Sequence, residues 1–257
     1  MARLPLPGRM GKYVAAALFR AIELRLARLG VPLHVVSEDD AGYLRRALRT
    51  AGVFAIPVIV PTDEIAAVDD HPIPRDATRR ILVFADLRHD HVRLGYEEFM
   101  RALAVSDLPK GIQIDILGRV PEIEGLGGTD LGLPINYIEW VDDYRVALRQ
   151  ADLVVLPDRT GTGLKNRTVQ ALAMGRAVAG TRAAFEGISA RDSVHGLICQ
   201  DPVELASKVA KLICDSALLG TLARQASEAT QEFQAHNVAR RWIQAYTSLS
   251  HGPQSEG

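Results

Sequence analysis

From residue 81 onward the chain repeats a single pattern: a short run rich in valine, isoleucine and leucine, then a stretch with helical spacing, then another apolar run. Residues 81–85, 113–117, 135–139, 153–156, 177–180 and 197–199 read as strands, and residues 96–105, 143–150, 165–174 and 202–214 as helices. Strands this short and this uniformly apolar bury both faces, and helical crossovers between them make neighbours parallel. The expected fold class is therefore α/β, a parallel sheet with helices on both faces.

A shorter version of the pattern comes first. Residues 10–30 read as a long helix ended by Gly30, 33–37 as a strand, and 38–50 as a helix opened by Glu38, Asp39 and Asp40. Residues 54–60 read as a second strand with Pro57 inside it. Residues 61–80 bring Pro61, Pro72 and Pro74 with little periodicity and read as a linker. Residues 216–249 read as helical with a break near His236, and 251–257 as a frayed end.

Composition narrows the function classes. A net charge of -1 and an aromatic fraction of 5% give neither the field nor the stacking platform that nucleic acid would need. Cys199 and Cys214 are too few for a disulfide framework or a thiolate zinc site, and both read as reduced core thiols. The longest apolar stretch, residues 13–24, is interrupted by Arg20 and Glu23 and is too short to span a bilayer. With no signal segment before it, the expected location is the cytoplasm. His195 and the cluster His89-Asp90-His91 read as surface histidines, because adjacent loop residues rarely point at one centre, and no metal site is expected.

In an open parallel sheet, ligands bind beyond the carboxyl ends of the strands, where the strand order reverses. The loop after residues 153–156 runs Pro157-Asp158-Arg159-Thr160-Gly161-Thr162-Gly163-Leu164-Lys165-Asn166-Arg167. Gly161 and Gly163 let the backbone approach a ligand, and the helix that follows turns its unpaired N–H groups toward any anion placed there. Lys165 and Arg167 add positive charge. These are the parts needed to hold a diphosphate, although on these residues alone a plain strand-to-helix turn with solvated basic side chains fits equally well.

Across residues 151–188 the order of motifs resembles the donor-site signature of family 4-like GT-B glycosyltransferases: ADLVVLP, then GTGLKNRTVQALAMGRAV, then TRAAFEG. IQIDILGRVPEI and HGLICQDPVELASKVAKLI resemble the flanking strand with its glycine turn and the closing strand and helix, so the likeness covers residues 80–249. It implies a Rossmann-like nucleotide-sugar donor-binding domain over 81–235, with a C-terminal helix and tail over 236–257. It also implies that Gly161, Thr162, Gly163 and Arg167, with Lys165 beside them, hold the donor diphosphate. Gln170 stands where a carboxylate usually grips the ribose hydroxyls, and Glu186 with Gly187 forms the acidic turn beside the nucleotide ribose or sugar. Two departures stand out. Gln170 lacks a carboxylate's charge-assisted grip, and Ala85-Asp86 replaces a glycine and basic residue after the first donor-domain strand, with Arg88 and Arg93 read as solvated. The implied activity is hexosyl transfer from a nucleotide-diphosphate sugar to an unassigned acceptor. It needs no cofactor or metal, because the helix dipole and basic side chains meet the departing diphosphate.

Residues 1–60 resemble only the last part of the acceptor-side domain, a short αβαβ remnant, and the acceptor-side glycine loop and catalytic residues have no counterpart. Three readings follow: a truncated or split half, an enzyme whose acceptor side comes from a second copy or partner subunit, or a catalytically inactive nucleotide-sugar-binding or scaffolding protein. The helix over residues 10–30 is the expected contact surface, with protein packing ranked above a membrane surface.

Overall fold

The computed structural model describes residues 6–49, 52–61, 78–119, 131–161 and 163–250. Most of the expected linker and all of residues 251–257 therefore lie outside the described residues, as does Thr162. The chain divides into two units, Met1–Pro57 with Arg241–Gly257, and Val58–Arg240.

In the first unit, α1 (Leu6–Arg28) precedes β1 (Leu33–Val35), α2 (Glu38–Leu48) and β2 (Val53–Ala55), with β1 and β2 parallel. Ser37 ends the first strand by capping α2, its hydroxyl accepting from the Asp40 N–H at 3.1 Å. The second strand stops at Ala55 rather than running to residue 60. Pro57 explains this, because it offers no N–H to continue a ladder. A small core of Ala41, Leu44, Val53 and Ala55 holds the unit together, while Tyr13, Leu18, Phe19 and Ile22 of α1 are exposed. The end of the chain belongs here too: Trp242 lies 4.8 Å from the His34 ring.

The larger unit is built on six parallel strands in the order β5-β4-β3-β6-β7-β8. They are β3 (Arg79–Phe84), β4 (Ile112–Leu117), β5 (Ile135–Ile138), β6 (Leu153–Leu156), β7 (Val178–Thr181) and β8 (Leu197–Cys199). The helices are α3 (Asp90–Ala104), α4 (Tyr144–Gln150), α5 (Asn166–Ala173), α6 (Pro202–Leu212) and α7 (Ser216–Ala226), and α8 (Ala235–Ser250) continues from this unit into the first. Successive strand residues feed opposite faces, as the pleat requires. Ile81, Val83, Leu153 and Val155 pack in one core with Phe99, Leu205 and Val209. Leu82, Val154 and Leu156 pack in the other with Leu172 and Phe185.

Several boundaries differ from the sequence reading, each for a local reason. Helix α3 begins six residues before the expected residue 96, because Val92, Tyr96, Met100 and Leu103 continue its buried stripe back through a polar start. Helix α6 stops at Leu212, and Asp215 caps α7, accepting from the Leu218 N–H at 2.9 Å. Cys214 falls in the gap and is exposed, so only Cys199 is a core thiol. The tail breaks at Gln234, close to the expected His236, and a 3₁₀ segment, Ser227–Phe233, precedes the break. There Val60 finds its partner, its N–H donating to the Phe233 carbonyl at 2.9 Å. His195 is buried, not a surface residue: its Nδ1 accepts from the Arg191 N–H at 3.1 Å and its Nε2 lies 3.7 Å from Glu228. Among the described residues, no helix is long and apolar enough to cross a membrane.

Candidate functional site

The strand order reverses between β3 and β6, so the crevice at their carboxyl ends is flanked by the loops that follow them. Two glycines set how tightly that crevice is built. Gly118, just past β4, has φ +137°, and a Cβ there would stand 2.1 Å from the Ala85 carbonyl oxygen. Its N–H donates to Ile138 at 3.1 Å, so the ends of three strands are drawn together around it. Gly95 does the same for helix α3. A Cβ at this position would meet the Pro157 carbonyl oxygen at 1.8 Å, so the helix touches the β6 loop backbone to backbone. Arg159 completes the contact with an ion pair to Glu98.

On the β6 side, Gly161 and Gly163 both take positive φ, 149° and 77°, conformations that glycine adopts without strain. Lys165 curls back, its Nζ donating to the Gly163 carbonyl at 2.8 Å. It is also the N-cap of α5, makes no side-chain cap bond there, and is followed by a first turn without an acidic residue. Neither a side-chain cap nor an acidic residue of its own first turn offsets the positive end of the α5 dipole. The turn at Gly187 lies against this loop, since a Cβ there would sit 3.5 Å from the Leu164 Cα. Gly161, Gly163, Lys165, Arg167 and Gly187 are therefore brought together. Gln170 follows one turn along α5, and Glu186 immediately precedes Gly187. Both side chains are half-buried, and neither has a hydrogen bond or ion pair among the described residues.

The main surprise is Asp158, which the sequence reading passed over. It is fully buried, and its Oδ1 accepts from the Arg167 guanidinium. Its Oδ2 is buried without a hydrogen-bond partner. Thr181 donates to the Asp158 carbonyl and accepts from the Ala184 N–H at 3.3 Å. Thr168 of α5 donates to the Ala184 carbonyl at 2.7 Å. Strand β6, strand β7, the 3₁₀ turn leading to Glu186 and the start of α5 are thereby tied into one buried network. The one hint in the sequence is an acidic residue two positions past the end of an apolar strand; nothing there indicates its partner.

On the β3 side, Arg88 and Arg93 reach solvent as expected, and each is also paired locally. Arg88 grips Asp86 with bonds of 2.9 and 2.5 Å, and Arg93 pairs with Asp90 at 3.1 Å and Glu97 at 3.0 Å. The Arg88 hydrogen bond holds the Asp86 carboxyl down at about 2. His91 belongs to the site despite its exposure, lying 3.7 Å from where a Gly161 Cβ would be. Partial burial lowers its pKa; Asp158 pulls the other way, and His89, Arg167 and Lys165 reinforce the lowering. The ring of its neighbour His89 lies 5.8 Å away between centroids, tilted by 33°, and no group of three or more His, Cys, Asp or Glu able to hold a metal ion occurs among the described residues.

The residue pattern of the glycosyl transferases group 1 family matches residues 78–215, more than half of the 257 residues. The chain belongs to this family. No curated protein sequence matches it. Among solved structures, the fold is similar to that of S. aureus TarM crystallised with fondaparinux, alpha-GlcNAc-glycerol and UDP, with a TM-score of 0.68 at 15% identity over 84% of this chain and 43% of that one. Sucrose-phosphate synthase from Thermosynechococcus elongatus gives 0.68 at 21% identity over 86% and 59%. Anabaena HepE in complex with UDP-glucose gives 0.62 at 18% identity over 86% and 64%. This group 1 chain thus spans less than two thirds of each of these three relatives. The six-stranded parallel sheet with its helices matches the Rossmann-like fold of these GT-B neighbours.

Proposed function

We propose that the larger unit binds the donor in transfer of a sugar from a nucleotide-diphosphate sugar. The observation that carries this is the start of α5. A helix N-terminus without a side-chain cap or a first-turn acidic residue, two positive-φ glycines, Lys165 and Arg167 converge at the switch point of a parallel sheet. In this reading Lys165, Arg167 and the α5 N–H groups meet the charge that develops on the departing diphosphate, the role a metal ion fills in other transferases. Gln170 takes the ribose hydroxyls through neutral hydrogen bonds, and the Glu186-Gly187 turn faces the ribose or sugar. Thr162, which follows Gly161 in the sequence, is assigned to the diphosphate with the two glycines. That TarM and HepE were crystallised with UDP or UDP-glucose makes uridine nucleotides the first to try. The acceptor side would come from outside these residues, whether from a further part of the protein, a partner subunit or a second copy.

Isothermal titration with UDP, GDP and their glucose and mannose derivatives tests this, with Arg167→Ala as control. Binding is expected, weakened in the variant by about 1–3 kcal/mol, the worth of a charge-assisted hydrogen bond. If every nucleotide fails to bind, or Arg167→Ala binds as the parent does, the site is elsewhere.

A further inference from the structure

We propose that Asp158 is the positioning residue of the donor site, holding the Arg167 guanidinium where a diphosphate oxygen meets it. The inference rests on the donor-site reading above and adds a residue to it.

Three observations lead there. Asp158 is fully buried at the carboxyl end of β6, and its carboxylate bonds Arg167, whose side chain keeps 17% exposure. One end of the guanidinium is thus fixed inside the protein while the rest reaches the crevice. Second, the carboxylate is only half satisfied, Oδ2 being buried with no hydrogen-bond partner. A buried, partly satisfied carboxylate is a poor device for stability alone, since apolar side chains of similar volume commonly serve as well or better. Third, the backbone of Asp158 is itself anchored: Thr181 donates to its carbonyl, and the same hydroxyl accepts from Ala184, whose carbonyl takes Thr168 of α5. The carboxylate and the helix that carries Arg167 are therefore held in one frame. A guanidinium is a planar fork whose direction matters for binding phosphate oxygens, and an arginine left to its rotamers would lose part of its affinity to ordering.

The chemistry also limits what Arg167 contributes. Its charge is balanced by Asp158, so the pair offers oriented N–H donors rather than a net positive charge.

A double-mutant cycle on UDP and GDP binding tests the proposal, using Asp158→Asn, Arg167→Ala and the double variant, each checked for folding by circular dichroism. Arg167→Ala is expected to weaken binding about tenfold. Asp158→Asn is expected to weaken it comparably, and the double variant no further than Arg167→Ala alone, within about twofold. If Asp158→Asn costs the same in the parent and in the Arg167→Ala background, Asp158 is merely structural and the proposal falls. Arg167→Lys gives a second arm that leaves Asp158 paired. It keeps the charge but loses the fork, and is expected to weaken binding at least about threefold; affinity equal to the parent's would show that direction does not matter. Arg167→Ala without effect, by contrast, removes the donor site itself and the positioning role with it.

Discussion

The two loops beside the switch point each pair an aspartate with an arginine, in opposite surroundings. On the β3 side Asp86 and Arg88 stand two residues apart, with side-chain exposures of 32% and 50%. On the β6 side Asp158 and Arg167 stand nine apart, with exposures of 0% and 17%. Water screens the first pair, and such exposed pairs contribute about 0–1 kcal/mol. The second pair has given up its water, so removing either partner strands the other's charge. Identical functional groups thus act as a surface clasp in one loop and as an internal fixture in the other. The β3 side obtains its rigidity differently, from backbone packed on backbone at Gly118 and Gly95.

The strongest challenge to this contrast is Asp158→Ala, which should cost about 3–5 kcal/mol of stability by leaving Arg167 uncompensated. Urea unfolding measures it, and a loss under about 1 kcal/mol would put both pairs in the same class. Next comes Gly118→Ala. At φ +137°, with a Cβ 2.1 Å from the Ala85 oxygen, the substitution should cost at least about 2 kcal/mol in strain and displaced backbone. A melting temperature unchanged from the parent would remove backbone packing as the source of rigidity on the β3 side. Asp86→Asn should cost under about 1 kcal/mol at neutral pH. Because the folded protein holds Asp86 at about 2, below its unfolded value of about 3.9, the pair's contribution is full above that unfolded value. It fades as pH falls through the folded one. The variant's deficit should therefore be constant from about pH 5 to 7, shrink below that and be gone only near pH 1, and one that survives there must come from another contact. The smallest effect concerns His91. Its proton NMR titration should fall below the ordinary histidine value of about 6.5, and Asp158→Asn should lower it further by removing the one charge that raises it. An upward move would mean that Asp158 does not act on His91.

The same contrast explains what was legible in the sequence. Strands at Leu153–Leu156 and Leu197–Cys199 were read to the residue because uniformly apolar runs between helices have one interpretation. The glycines of the β6 loop marked the approach of backbone to the crevice. Pro57 lies inside the expected strand over residues 54–60, where the apolar run around it masks the missing N–H, and the strand itself ends at Ala55. Residues 90–95 were lost to α3 because a His-Asp-His start hides the apolar stripe that begins at Val92. Asp158 was the larger omission. Burial of a charged side chain is decided by what closes over it, here residues from β7 and α5, and a linear reading does not show that Thr181 and Arg167 converge on one aspartate. Asp86 and Arg88 stand only two residues apart, yet their pairing too emerges only from the structure, since the sequence reads Arg88 as solvated.

The buried pair also has an evolutionary consequence. A mutation that changes Asp158 alone, or Arg167 alone, leaves a charge in a place where water cannot reach it. Neither position can drift freely through single steps. Descendants and cousins of this chain should retain the aspartate and the arginine together or have replaced both, so the two columns of an alignment would vary as one. Asp86 and Arg88, each able to turn to solvent when the other is lost, carry no such bond, and their columns should wander independently.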